Sequence, residues 1–260
     1  MKRLLILIYS VVSYLLFLIG IGFLFLLLTN IGIHNMMSND SISGIMPWLI
    51  NIGLMILFAL SHSIPARLKF KQRYPCSPAI ERNTYVFVSG VVLILLAIYW
   101  QPLPGKLWQL PSHSMGAILL NIIGGLGWII CIASTFMVSH TDLYGLRQSW
   151  LQWKNKAYTH IPFQMRGFYK LTRHPMMTGF LIAFWFTPDM TSGRLLFNIG
   201  MTIYIFWGIY LEEIDLKETL GKEYHEYLKK SPKSFQNYRK ITINKLEQYE
   251  FNDAINKPIT

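Results

Sequence analysis

Residues 4–28 read LLILIYSVVSYLLFLIGIGFLFLLL, twenty-five consecutive positions without a charge. A helix of about 20 apolar residues spans the hydrocarbon core of a bilayer, so this stretch alone moves the chain out of the soluble classes. Lys2 and Arg3 ahead of it could open a signal peptide. The run is longer than a signal's apolar region, however, and no small-residue cleavage pattern follows it. It is therefore expected to stay in the protein as a first membrane span.

The rest of the 260 residues agrees. Hydrophobic residues make up 52% and charged residues 14%, against about 25% charged in soluble domains. That excludes a disordered chain, a coiled coil and an ordinary cytosolic enzyme. A formal net charge of +11 would favour a nucleic-acid partner in a polar protein. Here the basic residues alternate with apolar runs, which points to the lipid bilayer as partner and to no nucleic acid. Cys76 and Cys131 form no CxxC pair, so neither a disulfide nor a zinc site is expected.

Further apolar runs occupy 45–64, 84–100 and 115–139, and two shorter ones, 176–187 and 195–211, flank the turn-rich PDMTSGR at 188–194. The 12 residues of 176–187 make about 18 Å of helix, too short to cross alone. The pair reads as a hairpin whose ends emerge on one side. The expected fold is an all-α, multi-pass integral membrane bundle: four spans, a C-terminal helical hairpin and a cytosolic amphipathic helix, with five to six membrane helices in all. Lysine and arginine test the arrangement, since cytoplasmic loops carry the excess. Of 24 such residues, 22 fall on the side of both termini, and Lys106 and Arg194 alone fall on the other. Both termini are expected in the cytoplasm. Residues 1–211 then form the membrane domain, 212–240 a cytosolic helical segment with Leu220, Tyr224, Tyr227 and Leu228 on one face, and 241–260 a tail.

The first four spans hold no Asp, Glu, Lys or Arg, which weighs against a pump or proton relay at depth. Polar groups gather instead at the cytoplasmic ends of helices. They are His62 and Arg67, then His140, Asp142, Arg147 and Gln148, then Arg173 and His174, and finally Glu212, Glu213 and Asp215. A soluble ligand reaches all of them from one side. The sharpest group is RHPMMTG at 173–179. Pro175 suits the first turn of a helix, which puts Arg173 and His174 where free N–H groups and the dipole attract carboxylate or phosphate. Gly179 allows close approach of a ligand or another helix. The glycines at 124, 125 and 127 lie mid-span with no strand before them, so they read as helix packing rather than a phosphate loop.

Arg173-His174-Pro175 with Gly179, followed by Glu212-Glu213 and Leu216, then Gly221, Tyr224, Tyr227 and Pro232, resembles the isoprenylcysteine carboxyl methyltransferase superfamily. SHSIPAR at 61–67, HTDLYGLRQ at 140–148 and FWFTPDMTSGRLLF at 184–197 are similar to its bacterial methanethiol S-methyltransferase branch; related NnrU-like proteins share the 61–67 block. Met177 stands where the family usually has tyrosine, and Arg194 where it often has histidine. The resemblance implies an S-adenosylmethionine-dependent enzyme of the bacterial cytoplasmic membrane that converts methanethiol, a small volatile thiol, to dimethyl sulfide. It implies that His174, Pro175 and Gly179 hold the cofactor together with Glu212, Glu213 and Tyr224 of the return segment, and Arg173 suits the cofactor's carboxylate. The thiol must lose a proton, for which His62, His140 or a glutamate such as Glu213 is a candidate acceptor, and Arg147 a candidate partner of the thiolate. The alternatives are the same fold acting on another thiol, an amine or a prenylcysteine carboxylate, and a non-catalytic NnrU-like membrane protein.

Overall fold

The computed structural model describes residues 2–29, 44–73, 76–159, 161 and 166–220; Tyr224, Tyr227, Leu228 and the expected tail lie outside them. In chain order the elements are α1 (Lys2–Thr29), α2 (Met46–Ser63), α3 (Leu68–Arg73), α4 (Pro78–Tyr99), β1 (Lys106–Gln109), α5 (Met115–Val138), α6 (His140–Leu143), α7 (Leu146–Trp153), α8 (Pro175–Trp185), β2 (Asp189–Thr191) and α9 (Ser192–Leu220), with a 3-10 turn at Gly167–Lys170 before α8. Among the described residues, α1, α2, α4, α5 and α9 are long and apolar enough to cross a membrane. The protein is the all-helical, multi-pass membrane bundle that its apolar runs imply. Outward-facing side chains such as Leu119, Ile122, Leu126 and Ile129 on α5 are apolar and exposed, as a lipid-facing surface requires.

Helix α1 packs on α4, and α5 on α8. The second contact is a backbone-to-backbone one. A Cβ at Gly127 would lie 2.5 Å from the Ala183 nitrogen, and one at Gly179 would lie 2.7 Å from the Gly127 carbonyl. Of the three glycines expected to let helices pack, Gly124 and Gly127 do so and Gly125 does not, and Gly179 is spent on the approach of α5. Between these pairs sits the core of Leu96, Trp100, Phe184, Phe197 and Met201. Buried Asn51 fastens α2 to the end of α4, its amide giving to and taking from the Gln101 backbone at 2.9 and 2.8 Å.

Three departures from the apolar pattern shape the two ends of the bundle. Helix α4 starts six residues ahead of its apolar run, because the Ser77 hydroxyl caps the Ile80 N–H, Pro78 opens the helix and Glu81 sits in the first turn. Helix α9 does not stop at residue 211; it continues to Leu220, so Glu212, Glu213 and Asp215 ride on the same rod as the span. The 188–194 segment is not a simple turn either. Its β2 pairs antiparallel with β1 in the loop between α4 and α5, and Arg194, expected in the turn, is buried at 4% exposure.

That extended segment completes a crossing. Helix α8, at 11 residues, covers about 16 Å. Residues 186–191, ending in β2 at Asp189–Thr191, carry the chain on to the start of α9 at Ser192. The carbonyls left open along the way find partners. Phe184 O accepts from Asn198 at 2.8 Å, Thr187 O from the Trp108 indole at 3.1 Å, Pro188 O from Leu110 N at 2.9 Å and Asp189 O from Arg194 at 2.6 Å. The Arg194 guanidinium also donates to the Thr187 hydroxyl.

The α5–α8 contact makes a prediction with its own control. Gly127→Val should lower the thermal stability of the detergent-solubilised protein by the roughly 1–3 kcal/mol that overpacking costs. Gly125→Val, with nothing within 4 Å of its Cβ position, should leave the melting temperature in place.

Candidate functional site

The end of the bundle that carries the start of α8 gathers the charges. His174 is the residue before α8 and Pro175 its first helical position. Glu213, two turns from the end of α9, reaches across to both residues ahead of Pro175. Its Oε1 lies 3.9 Å from Arg173 Nη1 and 3.4 Å from His174 Nε2. The other ring nitrogen, His174 Nδ1, faces Glu212 at 3.5 Å. The Arg173 and Glu213 side chains are only 8% and 9% exposed, whereas Glu212 is 48% exposed. Arg67, just beyond α2, pairs with Asp215 at 3.1 Å. Two motifs 38 residues apart in sequence thus meet as one mixed-charge cluster, because α9 runs back past the start of α8. Of the first-turn residues of α8, Pro175 has no N–H and Thr178 donates to the His174 carbonyl, which leaves the N–H groups of Met176 and Met177 without an intrahelical acceptor. Of the residues singled out in the sequence, Arg173, His174, Pro175, Glu212 and Glu213 come together here. Gly179 sits one turn further in, against α5, and Tyr224 lies outside the described residues.

His62, near the end of α2, stands in a hydrogen-bond chain whose direction can be read. Ser89 donates its hydroxyl proton to the Tyr85 carbonyl at 2.8 Å, so its oxygen must accept from His62 Nδ1 at 2.9 Å. Nδ1 therefore carries the proton, and Nε2 accepts from the Tyr85 hydroxyl at 2.7 Å. The imidazole stacks on Phe58 with 16° between planes and meets Tyr204 edge-on. Tyr85 lies close enough to Glu212 and Arg67 for their charges to act on it. Neither Tyr85 nor Ser89 stands out in the sequence, although their i, i+4 spacing on a helix puts both on one face.

His140 repeats the pattern elsewhere. Thr135 donates to the Ile132 carbonyl at 2.7 Å and accepts from His140 Nδ1, and His140 Nε2 accepts from Tyr14 at 2.8 Å. The ring lies flat on Phe136 at 4.2 Å, and partial burial holds it below the usual histidine range. It joins α1 to α5 and has no contact with the Arg173–Glu213 group among those described. Arg147 is drawn into a clasp of its own loop. It donates to Asp142 at 2.9 Å and to the Thr159 carbonyl and hydroxyl at 2.8 and 2.9 Å, and Tyr158 donates to the other Asp142 oxygen. The clasp is held to α4 by Arg82, which donates to the Leu143 carbonyl, and by Asn83, which donates to Ser149. Between them Gly145, at φ +84°, passes so near Asn83 that a Cβ would sit 2.1 Å from its amide oxygen, and α7 begins at the next residue.

Comparison with known proteins adds an independent line. The family model described as NnrU protein matches residues 50–205. A methanethiol S-methyltransferase of Mycobacterium tuberculosis is 40% identical over 230 residues, covering 87% of this chain and 94% of its own. One from Pseudomonas deceptionensis is 43% identical over 183 residues, 70% of either chain. Nurim of Bos taurus is more distant, 26% identical over 192 residues, 66% of this chain and 69% of its own. No solved structure matches significantly. The chain belongs to the NnrU family, and its near-complete alignment with the mycobacterial relative makes it a member of the methanethiol S-methyltransferase family.

Proposed function

We propose that this protein transfers the methyl group of S-adenosylmethionine to methanethiol, forming dimethyl sulfide, at the cytoplasmic end of its membrane bundle. The observation that carries the reading is the meeting of Arg173 and His174 with Glu212 and Glu213 at the start of α8, in a chain whose relatives bear that activity in their names. The donor set suits the amino-acid end of the methyl donor, which carries one carboxylate and one ammonium group. Arg173 and the first N–H groups of α8 can bind the carboxylate, and the half-exposed Glu212 can take the ammonium. Glu213, fixed between Arg173 and His174, keeps both side chains in place, and the family resemblance adds Tyr224 to the cofactor-binding residues. Placement of 22 of 24 basic residues on the side of both termini supports a cytoplasmic site, which a water-borne methyl donor can enter directly.

When bound, S-adenosylmethionine supplies a methyl group made electrophilic by its sulfonium sulfur. A thiolate meeting a sulfonium gives two neutral products, so a site shielded from bulk water favours the transfer, and fixed placement of both reactants adds to it. The apolar acceptor and product pass through the bilayer, which makes a membrane bundle a suitable host. Arg147 acts in this scheme by holding the 140–159 loop against α4, the Asp142 carboxylate being its counter-ion.

Headspace dimethyl sulfide from cells expressing the chain and fed methanethiol should rise well above an empty-vector control. His174→Ala and Glu213→Gln should each cut it on the order of 30-fold or more, since removing one member of a buried charge pair costs roughly 2–5 kcal/mol, while the protein still accumulates in membranes. No rise with the protein present would refute methanethiol as acceptor. The clasp has a separate test. If Arg147 works only through Asp142, then Arg147→Ala, Asp142→Asn and the double variant should show equal loss of activity, a coupling that a double-mutant cycle measures directly.

A further inference from the structure

Methyl transfer to a thiol leaves one proton to be accounted for. An alkyl thiol is mostly protonated near neutral pH, and its proton has to leave as the new carbon–sulfur bond forms. We propose that Tyr85, His62 and Ser89 carry it away: Tyr85 is a catalytic residue that takes the thiol proton, His62 the group that receives Tyr85's own, and Ser89 the residue that sets the ring. The proposal rests on the methyl-transfer reading and names the machinery within it.

The geometry selects this chain of groups over the other candidates. Glu213 Oε1 already faces Arg173 and His174, 3.9 and 3.4 Å away, and a proton placed there would work against the Arg173 pair. His140 is hydrogen-bonded by Tyr14 of α1 and Thr135 of α5, away from the charge cluster. His62 is different. Its Nε2 lone pair points at the Tyr85 hydroxyl, 2.7 Å away, and Tyr85 lies within reach of the charges of Glu212 and Arg67, the same groups that border the α8 cluster. Ser89 locks the tautomer, because a hydroxyl already committed to the Tyr85 carbonyl can only accept from Nδ1.

The step balances. A lone pair of the thiol sulfur forms the bond to the methyl carbon, and the carbon's bond to the donor sulfur breaks with its electron pair left on that sulfur. As it does so, the acceptor's S–H gives its proton to the Tyr85 oxygen while the Tyr85 proton moves to His62 Nε2, so the sulfur attacks as a thiolate. The products are dimethyl sulfide, the demethylated donor and an imidazolium, with Tyr85 neutral again. Positive charge has moved from a sulfonium to His62. The charged and titratable groups around the pair are Arg82 on α4, Arg67 beyond α2, and Tyr204 and Glu212 on α9.

The test compares two thiols of unequal acidity in membranes holding the full chain. With methanethiol, Tyr85→Phe and His62→Gln should lower kcat by roughly 10²–10⁴-fold, the usual range for a positioned acid–base group, without changing KM for S-adenosylmethionine. With 2,2,2-trifluoroethanethiol, largely ionised at pH 8, the same variants should lose less than about tenfold, because no proton remains to be moved. Ser89→Ala should show the same contrast in weaker form, and it serves if either other variant fails to accumulate. Equal losses with both thiols, or full activity of Tyr85→Phe on methanethiol, overturn the relay while leaving the methyl-transfer reading intact. A wild-type protein that methylates neither thiol overturns both.

Discussion

Backbone that is not helical can lie inside a membrane only where other parts of the protein accept and donate its hydrogen bonds. This constraint shapes the molecule, because α8 is too short to cross and hands the rest of its path to the extended residues 186–191. The Phe186 carbonyl lies beside Gly124, nine residues or about 14 Å into α5. The extended chain therefore starts at depth. Its partners come from two directions: Trp108, Leu110 and the backbone of β1 in the α4–α5 loop, and Arg194 from α9. Once it is satisfied, α8 can end early at one end of the bundle and still present Arg173 and His174 at the other.

The continuity of α9 is the second half of this arrangement. A helix broken at the membrane surface would leave Glu212 and Glu213 on a hinge. As an unbroken rod from Ser192 to Leu220, α9 ties them to Phe197 and Met201 in the core, and their distance from His174 is set by packing. Fixed placement of this kind is what a site needs when it must align two reactants rather than bind one. The close glycine contact between α5 and α8 serves the same end, since it leaves α8 little room to slide.

Long apolar runs are legible because hydrocarbon thickness demands them, and RHP at 173–175 because polar punctuation stands out in an apolar chain. The pairing of Arg173 and His174 with Glu212 and Glu213 was readable through family resemblance rather than through physics, since nothing local links positions so far apart. The start of α4 escapes an apolar-run reading because Ser77, Pro78 and Glu81 are helix-start residues outside the hydrocarbon. Arg194 misleads for a related reason. A charge in a turn-rich stretch reads as exposed, yet the open carbonyls at the end of α8 draw it inward. Tyr85 is the most instructive omission. In an apolar run a tyrosine reads as a belt aromatic, and only the folded packing of α2 against α4 brings its hydroxyl to His62.

The ribbon also bears on how the chain is made. Residues 186–191 cannot enter the bilayer with their carbonyls open, and β1, Trp108 and Leu110 are synthesised some eighty residues earlier. The last hairpin must therefore be threaded against a loop already delivered to the far side. Arg194, which comes within a few residues, has to be carried across before it can close the strand it caps. Biogenesis of this protein is thus sequential by necessity, with the Arg173–Glu213 cluster assembled last.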